Sequence, residues 1–216
     1  MISIENFIKD NYQREEIRII DGHNSSSYFW IMPVKITDFS DTDDMDNVNE
    51  LRNLEISIEE DDVDQYLTPF LYKHFDKELE ANKNRAEWTW EDENGDLRRT
   101  YYTDFEWYLT YNFYSFESIK NIINDIQNTI NALTEGIENE FTAQLREKRG
   151  FAAGNPLYAK DWTAEQIEEY NNNRPTQDYT RPKVLIEFYS HFITKLEHMM
   201  EVGKEEGYDL ISFMGP

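Results

Sequence analysis

At Ser115 the hydrophobic period of the chain changes from two to about 3.6, and no other feature restricts the fold as strongly. In "TDFEWYLTYNFYSF" the residues Phe105, Trp107, Leu109, Tyr111 and Phe113 alternate with Glu106, Tyr108, Thr110, Asn112 and Tyr114. That pattern predicts a strand, placed centrally in a sheet. From Phe116 onward Ile119, Ile122, Ile123, Ile126, Ile130 and Leu133 recur at helical spacing, with Ser115 positioned to cap the helix. A β-rich segment therefore hands over to a helical one, the mark of an α+β chain with segregated elements.

The preceding residues support the β-rich half. "EIRIIDG" reads as a strand entering a turn at Gly22. "SYFWIMPVKI" alternates Tyr28, Trp30, Met32, Val34 and Ile36 against Phe29, Ile31 and Lys35, with Pro33 favouring an edge or a bulge. "NLEISIEE" sends Leu54, Ile56 and Ile58 inward and Glu55, Ser57 and Glu59 toward water. A helix follows over about 62–81 on Val63, Tyr66, Leu67, Phe70, Leu71 and His74, kinked or restarted at Pro69. "AEWTWEDENGDLRRTYY" predicts a hairpin around Asn94-Gly95. Its tryptophans, with Trp107 and Tyr108, are read as sheet-face residues of the core rather than as a sugar-stacking platform.

The second half is helical over about 116–203, broken near Gly136. Loops are expected at "GFAAGNPLYAKDW" and "NNNRPTQDYTRP", with a short helix between them opened by a Thr163/Gln166 capping box. "IENFIKDNY" is read as a short opening helix, and "YDLISF" as a strand over 208–213 returning to the sheet. The expected architecture is one domain over 1–216: an antiparallel sheet from residues 14–114 packed against mainly C-terminal helices.

Motifs exclude more than they assign. An EF-hand begun at Asp41 meets Met45, Asp46 and Arg52 at its fifth, sixth and twelfth positions, where oxygen, Gly and Glu are needed. Begun at Asp92 it meets Leu97 at the sixth. "GHNSSS" lacks the G-x-S-x-G elbow, and "GFAAGN" lacks the Lys and Ser or Thr of a P-loop. Glu187, His191 and His198 share one side of a predicted helix and form the best metal-ligand set, the basis of an alternative reading as a metal-dependent hydrolase. The apolar stripe Leu185, Phe188, Phe192, Leu196 and Met199 of that helix leaves them on its polar boundary. No cofactor is expected.

Charge carries the functional expectation. The chain has 44 acidic and 21 basic residues, a net charge of −23. That field opposes nucleic acid and anionic membranes and favours basic proteins. Residues 38–64 hold twelve acids against the single base Arg52. The chain reads as a non-enzymatic module, of inhibitor or immunity-protein character, that covers a basic surface through Asp41, Asp43, Asp44, Asp46, Glu59, Glu60, Asp61, Asp62 and Asp64. A second alternative is a structural or regulatory subunit docking through an aromatic sheet face. Without a secretory leader or a long apolar run, a soluble cytoplasmic protein is expected, while the absence of Cys excludes disulfides and thiolate sites.

Overall fold

The computed structural model describes residues 17–24, 27–147, 163 and 182–216. The opening helix, the loops on either side of residue 163, and Gln166 with its helix lie outside the described residues. The chain divides into two compact units, residues 18–127 with 189–216 and residues 1–17 with 128–188. The fold is α+β: an antiparallel sheet drawn largely from the N-terminal half, with the long helices late in the chain.

The larger unit is built on a six-stranded sheet in the order β1 (Ile19–Asp21), β4 (Ile56–Glu59), β2 (Tyr28–Ile36), β8 (Leu210–Met214) and β7 (Tyr111–Ser115), with β3 (Val48–Glu50) pairing to the far end of β2. All pairings are antiparallel. The return strand of the C-terminal segment lies inside the sheet, between β2 and β7.

Pro33 occupies an interior strand, not the edge its missing N–H suggests. Its carbonyl accepts from the Leu51 amide at 2.9 Å, and the amide and carbonyl of one residue face the same side of an extended strand. On that side, β4 pairing stops at Ile31 and β3 pairing starts at Val34. The proline thus falls in a gap of the ladder, where no bond is lost.

Both faces of the sheet are covered. One carries Trp30, Met32, Val34, Ile36, Tyr111, Phe113 and Leu210, packed with Val48 and Ala81. On the other, Phe29, Ile31, Ile56, Ile58, Ile211 and Phe213 are buried. There Phe213 meets Tyr114 at 5.1 Å and Phe192 at 6.5 Å between ring centroids. Covering both faces overturns the expected wet side of β4: Glu55 and Ser57 are buried. Ser57 Oγ donates to Gly22 O at 2.6 Å, and Glu55 Oε1 lies 2.9 Å from His23 Nδ1.

The helix expected over 62–81 is divided. Glu60–Asp62 (α1) runs through a π turn, Val63–Leu67, into Thr68–His74 (α2), with Pro69 in the first turn of α2. The wider turn accommodates the proline, and Thr68 Oγ1 donates to Val63 O at 3.1 Å. A separate turn of helix, Glu80–Lys83 (α3), follows. Tyr114 Oη and Tyr189 Oη donate to Leu71 O and Tyr66 O, both at 3.0 Å, so each buried hydroxyl has a partner.

The strand expected over 105–114 is only half present. β7 begins at Tyr111 and lies at the sheet edge. Upstream, Asn112 draws the backbone inward: its Oδ1 accepts from Glu106 N at 2.8 Å, and its Nδ2 donates to Glu106 O at 2.7 Å. Leu109 takes a left-handed φ of 48°. Phe105 is nonetheless buried, 5.5 Å from the Trp107 ring. Alternating aromatics here fill a loop.

Phe116–Glu135 (α4) starts where expected, with Ser118 N donating to Ser115 Oγ at 3.1 Å. It ends at Gly136, φ 68°, where Ile137 N reaches back to Ala132 O at 3.0 Å in a Schellman closure. Asn139 then caps Glu140–Glu147 (α5) by accepting from Phe141 N and Thr142 N. Pro182–Glu205 (α6) carries the expected stripe, with Leu185, Phe188, Phe192, Leu196 and Met199 all buried.

Candidate functional site

The aspartates at 38, 41 and 44 share one local role. Each Oδ1 accepts the amide two residues on: Ser40 N at 2.8 Å, Asp43 N at 3.1 Å and Asp46 N at 3.0 Å. The spacing is a run of Asx turns, used where a chain must bend repeatedly without a helix. The bond from Ser40 N holds Asp38 below the usual carboxylate range. Asp44 caps the 3-10 turn Met45–Asn47. Asp41 also accepts from Ala86 N at 3.4 Å and faces Arg99 Nη1 at 3.8 Å. Asp44 and Asp46 are exposed, whereas Asp41 and Asp43 are partly buried.

Asp43 belongs to a device that closes the outer edge of β7. Its Oδ1 accepts from Tyr111 N at 3.3 Å, while Arg85 Nη1 donates to Tyr111 O at 3.1 Å. Two residues along, Asn82 takes both groups of Phe113, accepting from its N at 3.0 Å and donating to its O at 2.8 Å. Three side chains thus stand in for a further strand along the outer edge of β7. Arg85 is 0% exposed and donates further to Asn112 Oδ1, Asn82 O and Asp104 O, with Phe75 and Tyr102 against its guanidinium. Burial pushes its pKa down, and the nearby Asp43 carboxylate opposes that shift.

Burial raises Asp43 from 3.8 to about 6, against the Tyr111 amide and Arg85, which lower it. The folded form therefore holds the proton more tightly than the unfolded chain. This contribution to stability is full below pH 3.8, and it is lost as pH rises through about 6. Asp43→Asn keeps an acceptor for Tyr111 and removes the buried charge. It is expected to stabilise the protein by about 1–3 kcal/mol at pH 8 and to flatten the stability profile between pH 4 and 6. Urea unfolding across that range measures both, and a variant less stable than the parent at pH 8 refutes the assignment.

The second acidic group lies elsewhere on the same unit. Glu59 ends β4 opposite Tyr28, and Glu60 N donates to Ser27 O at 2.9 Å. Burial, with Asp61 and Asp64 adding repulsion, raises Glu60. Asp61 is exposed and Asp62 buried. The ladder sets Glu59 and Tyr111 three strands apart, on the order of 15 Å at the usual strand spacing. The two groups flank one end of the sheet instead of merging.

Glu187, His191 and His198 are each exposed on α6. No group of three or more His, Asp or Glu able to hold a metal ion occurs among the described residues. His74 Nε2 instead meets Asp125 Oδ2 at 2.7 Å, and His23 stacks on Trp30 at 4.6 Å. No helix among the described residues is long and apolar enough to cross a membrane.

The aromatic residues read as core divide. Trp88 and Trp90 are exposed because β5 (Ala86–Glu91) and β6 (Leu97–Tyr101) form a separate two-stranded sheet, and Tyr108 is exposed on the loop before β7. Sequence reasoning also missed Arg85, Asn82 and Asn112, whose polar types in "NKNRAEW" and "LTYNFY" carry no sign of burial. No protein-family model matches the chain, and no curated protein or solved structure matches it.

Proposed function

We propose that this protein is a non-enzymatic binding module that covers a basic surface of another protein, with the exposed acids of residues 41–64 facing that surface. One observation carries the reading: with 21 Lys and Arg against 44 Asp and Glu, one-to-one internal pairing leaves 23 carboxylates over. Such a field raises encounter rates with cationic partners and repels phosphate backbones. Asp44, Asp46 and Asp61, exposed on the larger unit, support it. Its concrete form is inhibition in the cytoplasm of a protein that acts on nucleic acid, carboxylates taking the place of phosphates.

The test is capture from a host lysate at 50 and 300 mM salt, then kinetics with the purified partner. The expected partner is basic, and Asp46→Lys with Asp61→Lys slows its association about tenfold while dissociation changes little. A partner whose association is indifferent to salt and to both reversals overturns the proposal.

A further inference from the structure

The six-stranded sheet closes its β7 edge with three side chains, whereas among the described residues the β5–β6 hairpin has one such contact, Asp41 on Ala86 N at the start of β5. Among the described residues the two strands pair only with each other. Their links to the rest of the unit gather on one strip: Arg99 Nη1 donates to Ser40 O at 2.7 Å, and Ala86 N donates to Asp41 Oδ1 at 3.4 Å. A two-stranded ribbon is marginal in water, and a third strand or a covering surface stabilises it.

The register pairs Trp88 with Thr100 and Trp90 with Arg98, so both indoles stand on one face, about 6.6 Å apart along the strand. Trp88 is 66% exposed and Trp90 40%. Asp92 fixes the turn end by accepting from Asn94 N, Asp96 N and Arg98 Nε. These bonds hold Asp92 below the usual carboxylate range. The turn end is thus fixed by hydrogen bonds, and both indoles are exposed.

Charge selects the occupant. Residues 86–101 contain five acids and two arginines, and both arginines already face aspartates. A second copy of this chain, a nucleic acid or an anionic lipid surface would meet like charge. Lys and Arg side chains can lie over exposed indoles, held by attraction to the negative face of the ring. We propose that the hairpin takes an extended, lysine- or arginine-bearing polypeptide segment as a third strand, its cations over Trp88 and Trp90 and its backbone on the open edge. The proposal rests on the reading of the chain as a binder of cationic proteins, and it assigns the anchoring surface.

The probe is a ten-residue peptide of alternating lysine and valine, compared with a lysine-glycine peptide of equal charge, on the full chain at 0.15 M salt. The alternating peptide is expected to shift tryptophan emission and to protect amides within 86–101 from exchange. Trp88→Thr with Trp90→Thr keeps strand-forming residues and is expected to weaken binding about tenfold or more. Glu87→Lys with Glu91→Lys, which keeps both indoles, does the same. A change under twofold in both variants, or unprotected hairpin amides in the complex, overturns the proposal. So does protection of those amides by a neutral glucan oligosaccharide in place of the peptide. If Asp46→Lys with Asp61→Lys abolishes binding while the tryptophan variant does not, only the hairpin assignment falls; the converse removes the 41–64 surface and keeps the hairpin.

Discussion

Replacing Arg85 with methionine is expected to destabilise the protein by about 3–5 kcal/mol. Methionine fills most of the stem's volume, so the loss isolates the polar part. The guanidinium serves three backbone carbonyls, of Asn82, Asp104 and Tyr111, and the Asn112 side chain, all at 3.2 Å or less. Swapping a buried ion pair for apolar residues is often tolerated, because both charges leave together. Backbone carbonyls cannot leave. Those of Asn82 and Tyr111 would stay buried and unpaired, and the Asp43 carboxylate would lose its cation. Adding Asp43→Asn to the methionine variant should recover part of the loss. Urea unfolding of the single and double variants at pH 7 tests this, and a single-variant loss under about 1 kcal/mol refutes the role given to Arg85.

The second large effect is steric. A Cβ built on Gly215 lies 1.5 Å from Trp107 O and 2.6 Å from Trp107 C, with the Phe29 ring at 3.2 Å. The obstacle is backbone, so no rotamer relieves it. Gly215→Ala must push the 105–110 loop away from β8, loosening Trp107 from Phe29, 5.1 Å between centroids, and from Phe105. The expected cost is about 2–4 kcal/mol, with a change in tryptophan emission. Gly207→Ala serves as the comparison. It has a φ of 80° and open space around it, so only backbone strain of about 1 kcal/mol opposes it. Equal melting temperatures for the two variants would count against the close approach.

What the sequence disclosed follows from which forces act locally. The switch of period at Ser115, its cap, the Asn94-Gly95 hairpin, the break at Gly136 and the buried stripe of α6 all depend on neighbours within a turn or two. Glu55, Ser57 and Pro33 misled because their settings are made by distant segments. A strand covered on both faces has no wet side, and a proline is tolerated where two partner strands happen not to overlap. Phe105 and Trp107 mimicked a strand because aromatics that fill a loop can alternate too.

The candidate site was legible in charge and illegible in geometry. The aspartate spacing at 38, 41 and 44 was visible, though its use in successive turns required the amides two residues on. Asp62 is buried and Asp43 partly buried, unlike the exposed Asp44, Asp46 and Asp61, and nothing in composition distinguishes the two kinds. The hairpin tryptophans were assigned to the core because no local signal tells a ribbon standing apart from one lying in a sheet.

The place of β8 has a bearing on how the protein is made. Strands β2 and β7 are neighbours only through a segment translated almost a hundred residues after β7. While a ribosome is still producing the helices, the inner edges of both strands lack their partner, and long-range closure of this kind is slow. Surplus negative charge on the nascent β-rich half would keep waiting chains apart during that interval, so acidity can guard biogenesis as well as recruit a partner.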